Sequence, residues 1–515
     1  MPPPQGGAGD RSWTREVTAY LALLIAIATI GPLQFGYHLV CGRSLIHLFT
    51  MPQASLPTPK PDTLAELNAP QDVITCEKKF ISSYADIPQC IPMNAGQFGL
   101  VSSIFTLGGL FGALCAGPVS SRYGRLMSMR LATIFFVVGP AFEALAPSIP
   151  IISLGRLISG VGAGAAVVVV PIYISEVAPP QGKGFFGAMT QVMTNFGIFT
   201  TQLLGLFLSR GQLWRVILAV AGVIGLLQAL ALTCVVESPK WMAANGNPTR
   251  ARRNLQKIRG QGAAIDDEVD SWGIKGIPTE EEEGLLNHPE SQPHPTRQTH
   301  IGILEAAINP HYRPAVIAVV GVMLAQQFCG INSIIMYSVS LLSELLPTTS
   351  ALLSVGVSAV NLVATLACAP LADRWGRKPC LLLSIAGMGT SSLLLATGII
   401  YSLAPLSAIA TLTFVFSFAV GLGPVPFILA SELVEQEAVG ATQGWALAAN
   451  WTATFVVAQF FPVLNVWMGQ GKVYFLFAAL AAGFFCFVVL GIPETSGKKS
   501  IDEVWGRRST ERRVD

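Results

Sequence analysis

Charged side chains are what this sequence has least of. Lys, Arg, Asp and Glu make up 12% of its 515 residues, about half the share of an ordinary soluble domain. That scarcity excludes a soluble globular chain of this length. A net charge of +2 offers no broad electropositive surface, so nucleic acid is not an expected partner. Nine cysteines and six histidines show no metal-ligand spacing. His288, His294 and His300 fall in a polar linker and read as solvated. No nucleophile–base pair stands out, so neither an enzyme nor a cofactor or metal site is expected. A cleavable signal peptide is also missing: Met1 to Arg15 is polar, and the first apolar run leads straight into others.

Apolar sequence fills the chain instead, at 51%. Windows of about 20 apolar residues recur along its length, and twelve can be counted. The expected fold is an all-α polytopic membrane protein, with twelve transmembrane helices in two six-helix halves and a cytosolic helical linker. The expected division is a cytosolic tail at 1–16, a half at 17–236, the linker at 237–311, a half at 312–492 and a tail at 493–515. In the linker, Arg250, Arg252, Arg253, Lys257 and Arg259 suit short surface helices, and the acidic, proline-rich remainder reads as flexible. Cys76 and Cys90 lie in the loop before the second span, where a non-cytosolic location would permit a disulfide.

The halves echo each other. SerArgTyrGlyArg at 121–125 matches AspArgTrpGlyArg at 373–377, Ser175-Glu176 matches Ser431-Glu432, and Glu237 matches Glu494. The near-constant offset indicates a tandem duplication of six spans, which keeps both halves in one orientation. Arg and Lys gather after the even-numbered spans, which predicts that both termini are cytosolic.

Gln326, Gln327 and Asn332 lie inside the apolar run from Pro314 to Leu346. Carboxamides at that depth are costly unless they face protein or water. On an unbroken helix Gln327 and Asn332 point about 140° apart. One cavity uses all three only if it is wide or if the helix loosens at Gly330. An amide carries donor and acceptor without charge, which suits a ligand made of hydroxyl groups; adhesion between helices is the alternative. Gln191, Thr194, Asn195, Thr201 and Gln202 form one stripe at helical spacing in the fifth span. Asn361 and Thr365 stand one turn apart in the eighth. Two glycines and two prolines between Gly421 and Pro426 predict a kink in the tenth.

Taken together, QFGYH ending at His38, GRLISG around Arg156, PIYISE ending at Glu176, ESPKW from Glu237, QQFCGIN from Gln326, DRWGRK from Asp373, GPVPF ending at Phe427, NW at Asn450 and PETSGK from Pro493 resemble the sugar porters of the major facilitator superfamily. That group holds hexose facilitators and bacterial sugar–proton symporters, and its fungal members come nearest in the first motif. The resemblance spans nearly the whole chain. It implies transport of a monosaccharide, glucose or a related hexose first, by alternating access, with the monomer as the transport unit. The implied sugar ligands are Gln191, Gln326, Gln327, Asn332, Asn361 and Asn450. Phe427 stands where many glucose carriers have a tryptophan, Ser338 follows Tyr337 where a second tyrosine is usual, and Ala419 replaces an acid. Arg122, Arg125, Glu176, Asp373, Arg374, Arg377 and Glu432 would form ion-pair networks closing the cytosolic side, weaker in the first half where Ser121 replaces the usual acid or amide. Plain topology charge is the alternative, preferred for Lys378.

Proton-coupled relatives carry an Asp at His38, paired with the Arg at 156; uniporters carry an Asn. A charged His38 would be repelled by Arg156, which favours the neutral form. Facilitative transport is therefore expected, with proton symport through His38 and Arg156 as the alternative. A polyol, disaccharide or organic acid carrier and a sugar receptor are the competing functions. The plasma membrane is the expected location and the vacuolar membrane the alternative. Finally, roughly 25 polar, proline-rich residues at Val40–Leu64 separate His38-Leu39 from Ala65-Glu66-Leu67-Asn68-Ala69-Pro70, which the family joins directly. A polar loop inside the bilayer leaves backbone groups unpaired, so this stretch reads as a translated intron.

Overall fold

The computed structural model describes residues 17–40, 74, 76, 88–93, 95–208, 211–260, 263, 265–270, 301–334, 350–469, 471–498 and 501–506. Nearly all of Val40–Leu64, Tyr337, Ser338 and the three linker histidines lie outside these residues, and so do the expectations attached to them. The described residues form helices and short connections, with no strand among them.

The first apolar rod consists of α1 (Ala19–Ala28) and α2 (Ile30–Val40). The Thr18 hydroxyl caps α1 by accepting from the Leu21 N–H at 3.1 Å, satisfying a donor that helix geometry leaves unpaired. At Thr29 the hydroxyl donates back to the Ile25 carbonyl at 2.8 Å, the kind of bond that bends a helix. Then come α3 (Ala95–Tyr123), α4 (Arg125–Leu145), α5 (Ile149–Val177), α6 (Lys183–Leu208) and α7 (Trp214–Ala231). Both α3 and α4 pack on α5, α2 packs on α6, and α4 on α7. The close approach of α3 to α5 depends on glycine: a Cβ on Gly160 or Gly164 would stand 2.2 or 2.0 Å from a backbone oxygen of α3. Small residues at such contacts are how membrane helices gain packing.

Short helices α8 (Pro239–Ala244), α9 (Pro248–Arg259), α10 (Asp266–Asp270) and α11 (Ile303–Ile308) follow. The basic α9 forms as expected. Arg252 meets Asp266 at 2.6 Å and Arg259 meets Glu268 at 2.7 Å, tying α9 to α10. The second packed group contains α12 (Arg313–Phe328), α13 (Ser350–Cys368), α14 (Leu371–Trp375), α15 (Arg377–Ile400), α16 (Ala404–Val420), α17 (Val425–Glu432), α18 (Gln436–Met468) and α19 (Val473–Gly491), with α20 (Ile501–Trp505) after it.

Nine stretches among the described residues are long and apolar enough to cross a membrane, and Val355–Cys368 is a shorter apolar helix. Helices α6 and α18, of 26 and 33 residues, have the length but carry polar positions. Leu227, Leu230, Phe416 and Leu490 point outward, as a lipid-facing surface requires. The kink expected in the tenth span occurs, and so does the loosening at Gly330 that the sequence left as one of two alternatives. After α12 the chain turns at Gly330, with φ +99°, and resumes a helical turn at 331–334. Between α16 and α17 it opens at Gly421–Pro424.

Candidate functional site

The two breaks meet. Gln326, on the last turn of α12, donates its amide N–H to the carbonyls of Leu422 at 2.6 Å and Gly423 at 3.3 Å. Those carbonyls are freed by the α16–α17 opening, and in a membrane each would cost several kcal/mol if left bare. The Gln326 oxygen in turn accepts from Asn450 of α18 at 2.5 Å and from Gln327 at 3.3 Å. Gln327 accepts from Asn332 across the Gly330 turn, so the break brings together two residues that an unbroken helix would hold apart. The result is one chain of amides, Asn332–Gln327–Gln326–Asn450, all buried.

A second polar chain crosses from one packed group to the other. Gln191 of α6 donates to Asn195 at 3.2 Å, Asn195 donates to Thr365 of α13 at 2.9 Å, and Asn361 of α13 donates to Asn195 at 3.2 Å. Higher on the same seam Ser358 donates to Gln202 at 2.6 Å. The two chains touch at Gly423: its carbonyl takes the Gln326 bond, and a Cβ built on it would lie 3.5 Å from the Gln191 side chain. Phe427 is buried in α17 beyond this point. Gln191, Gln326, Gln327, Asn332, Asn361 and Asn450 therefore share one buried region between the groups. Asn195 was legible as part of the polar stripe but not as its hub. Trp451 was also missed as a bridging residue. Its ring fills the space over Gly109 of α3 and meets Phe35 and Phe105 at 5.3 and 5.8 Å between centroids, and its indole N–H has no partner among the described residues.

At the arginine-rich end the duplication reappears as geometry. Arg125 makes a two-pronged pair with Glu176, at 2.9 and 2.8 Å, and Arg377 makes the same pair with Glu432, at 3.1 and 2.9 Å. Such forked pairs are the stronger kind. Each arginine also donates to a carbonyl five residues earlier, Ser120 or Ala372. Each sits after a glycine of positive φ, Gly124 at +97° or Gly376 at +99°. Glu237 accepts the backbone N–H groups of Arg125 and Leu126; Glu494 does the same for Arg377 and Lys378. Burial raises the Glu237 pKa, against the opposing pull of these N–H bonds and the Arg125 charge.

Among the contacts that join the two groups at this end is one made by a carboxylate. Asp373 accepts from the Gly184 and Phe185 N–H groups at 3.0 and 2.7 Å, so a carboxylate of the second group caps the first turn of α6. It also meets Arg377 at 3.1 Å. Arg122 and Arg374 differ from expectation. Both are exposed, and Arg122 lies over the Tyr123 ring at 5.4 Å and joins no ion pair among the described residues. The glycine turn sends the second arginine of each motif inward and leaves the first on the outer surface.

His38 is fully buried in α2, stacked on Phe136 at 6.2 Å between centroids. Arg156 of α5 donates to the His38 carbonyl at 3.1 Å and lies over the Phe105 ring at 4.6 Å. The pair has a third member that the sequence reading did not weigh. Glu143 of α4 stands 4.0 Å from His38 Nδ1 and 3.9 Å from Arg156 Nη1, and its other oxygen accepts from Ser159 at 2.6 Å. A lone acid inside an apolar run was the available signal.

Helix bundles of this kind, with broken helices meeting over a buried polar seam, define a membrane solute carrier. The chain belongs to the sugar (and other) transporter family, whose model matches residues 24–505. It is 34% identical to the probable metabolite transport protein YBR241C of Saccharomyces cerevisiae, over 96% of this chain and 97% of that one. It is 28% identical to the facilitated glucose transporter member 2 of Sus scrofa, over 95% and 94%. Among solved structures it is similar to the major facilitator superfamily proton:xylose symporter XylE bound to 6-bromo-6-deoxy-D-glucose, with a TM-score of 0.74, 23% identity, and 95% and 99% coverage. Family and fold are those of membrane transporters of sugars, not of enzymes.

Proposed function

We propose that this protein carries a monosaccharide, glucose or a related hexose, across its membrane by alternating access. The observation that supports this most directly is the pair of amide chains meeting at Gly423 between the two helix groups. Neutral groups with both donor and acceptor match the hydroxyls of a sugar better than the charge of an organic acid. A site between two rocking groups is where alternating access needs its ligand. Gln191, Gln326, Gln327, Asn332, Asn361 and Asn450 are the proposed ligands, with Phe427 as the apolar face. Arg125–Glu176, Arg377–Glu432 and Asp373 act as the cytosolic gate, engaged in the state described. The names of the relatives point the same way, to facilitated glucose transport in the Sus scrofa protein and to a xylose symporter in the structural neighbour.

The membrane is proposed to be the plasma membrane, with the vacuole as the alternative; one relative of 29% identity is named vacuolar protein sorting-associated protein 73. Purified protein in liposomes preloaded with unlabelled sugar tests the substrate. Counterflow of labelled glucose, strongest among hexoses and pentoses, is the expected result. Counterflow of a polyol or disaccharide alone, or of none of these, would overturn it. The sequence argument from His38 and Arg156 favours facilitative transport; Glu143 alters that argument.

A further inference from the structure

Glu143 is the buried acid that nothing in the sugar site uses. Its side chain has no exposure, and neither has that of His38. One Glu143 oxygen holds Ser159; the other, Oε2, has no hydrogen-bond partner among the described residues. Both ring nitrogens of His38 and the Arg156 Nε are likewise unpartnered among the described residues. The helices packed on α4 bring three charged or titratable groups to this neighbourhood. These are His38 of α2, Arg156 of α5 and Arg215 of α7, whose guanidinium donates to the Ala144 carbonyl at 2.7 Å. From α3 comes Phe105, which is uncharged. A tight ion pair would close its contacts to hydrogen-bond distance, because only good geometry repays the cost of desolvating both charges. Here the 3.9 and 4.0 Å separations leave room for a proton on Oε2, or on His38 opposite it.

The cluster also touches the sugar site. Arg156 stacks on Phe105, Phe105 meets Trp451, and Trp451 adjoins Asn450. In parallel, Arg156 holds the His38 carbonyl at the end of α2, and Thr201 of α6 donates to the neighbouring Tyr37 carbonyl at 3.0 Å. A change in the Glu143–Arg156 attraction thus bears on α2, which packs on the helix that carries Gln191 and Asn195. Burial shuts the cluster from water in this state, so proton exchange belongs to another state of the cycle.

Resting on the reading of this protein as a sugar carrier, we infer that Glu143 binds a proton between His38 and Arg156, and that the sugar moves together with that proton. The proton comes from water on the side to which the site opens and leaves to water on the other. With Glu143 ionised, it balances Arg156; with the proton bound, Arg156 keeps only the His38 carbonyl and the Phe105 face. Coupling of this kind is reciprocal: if the proton raises sugar affinity, the sugar raises proton affinity.

Proteoliposomes of the whole protein test it with glucose. An inward gradient of about one pH unit should drive accumulation towards a limit of about tenfold for one proton per sugar, with sugar-driven alkalinisation outside. Glu143→Gln, which keeps a hydrogen-bonding group for Ser159, should lose both while still exchanging labelled for unlabelled glucose. Glu143→Asp should regain part of the accumulation. Wild-type exchange without alkalinisation or accumulation would overturn the inference and leave the sugar reading standing. Accumulation retained in Glu143→Gln would overturn the assignment to Glu143. If no sugar exchanges, the sugar reading fails, and infrared difference spectra between about pH 5 and 8 decide the proton site alone. A buried carboxylic-acid band present in wild type and missing in Glu143→Gln supports the site; its absence from wild type overturns it.

Discussion

Gln326 and Gln327 are adjacent but do different work. Gln326 commits its N–H groups to the opened backbone at Leu422 and Gly423 and its oxygen to Asn450. Among the described residues Gln327 bonds only within the amide chain, to Gln326 and Asn332. Gln326→Ala should therefore lower both sugar affinity and stability, because buried carbonyls are stranded at about 1–3 kcal/mol each. Gln327→Ala should cost sugar affinity about tenfold or more while leaving the melting temperature near wild type, since a site built for hydroxyls discriminates through its own partners. Binding titration beside thermal melts of both variants checks the split; equal melting losses would remove it. Asn195 calls for a matching test. As the hub between Gln191, Asn361 and Thr365, Asn195→Ala should slow the closing of the seam between the groups and reduce transport. Asn195→Asp, which places a charge there, should abolish it.

Two elements owe their shape to what interrupts them. The φ of +99° at Gly330 costs other residues about 1–2 kcal/mol, and a Cβ there would stand 2.9 Å from the Phe477 ring. These breaks were legible, because Gly and Pro act through local backbone geometry that the sequence states outright. Pairings between helices were not. Periodicity assigns a residue to a face but not to a depth or a neighbour, so Asn195 read as one of a stripe, and Glu143 lay unpaired until α4 could be set beside α2 and α5. Repetition carried further than periodicity. The two copies of the arginine–glutamate motif predicted equivalent geometry, and the structure repeats it down to the exposed Arg122 and Arg374; the copies part at Ser121 and Asp373. Asp373 is the second half's advantage over Ser121. Capping α6 across the groups is worth about 1 kcal/mol as a side-chain cap, with further help from the helix dipole. Asp373→Ala should raise hydrogen exchange at the Gly184 and Phe185 amides several-fold and shift the carrier towards its inward-open state. Unchanged protection of those amides would remove the latch.

At the scale of the molecule, the two ends are proposed to face different compartments. One end carries the arginine motifs and the basic α9. The other is strapped by the disulfide Cys76–Cys90, a pairing the sequence left open because it turned on which side the loop faces. The strap is seated on α7, where the Trp214 indole donates to the Gln89 carbonyl and Arg215 to the Pro88 carbonyl, both at 2.9 Å. The Ile91 N–H also reaches the Ile74 carbonyl at 2.8 Å. Disulfides persist in oxidising compartments, and positive charge stays on the cytosolic side, so two independent arguments support the proposed orientation, with the arginine end in the cytosol. A crosslink between residues 14 apart stabilises by about 3 kcal/mol through the loop it closes. The double variant Cys76→Ser/Cys90→Ser should lose about that much, and its melting temperature should no longer respond to reductant. In sealed right-side-out vesicles, an impermeant reductant followed by an impermeant thiol reagent should label Cys76 and Cys90. Labelling confined to inside-out vesicles would invert the whole assignment, placing the gate arginines outside and requiring another reason for their clustering.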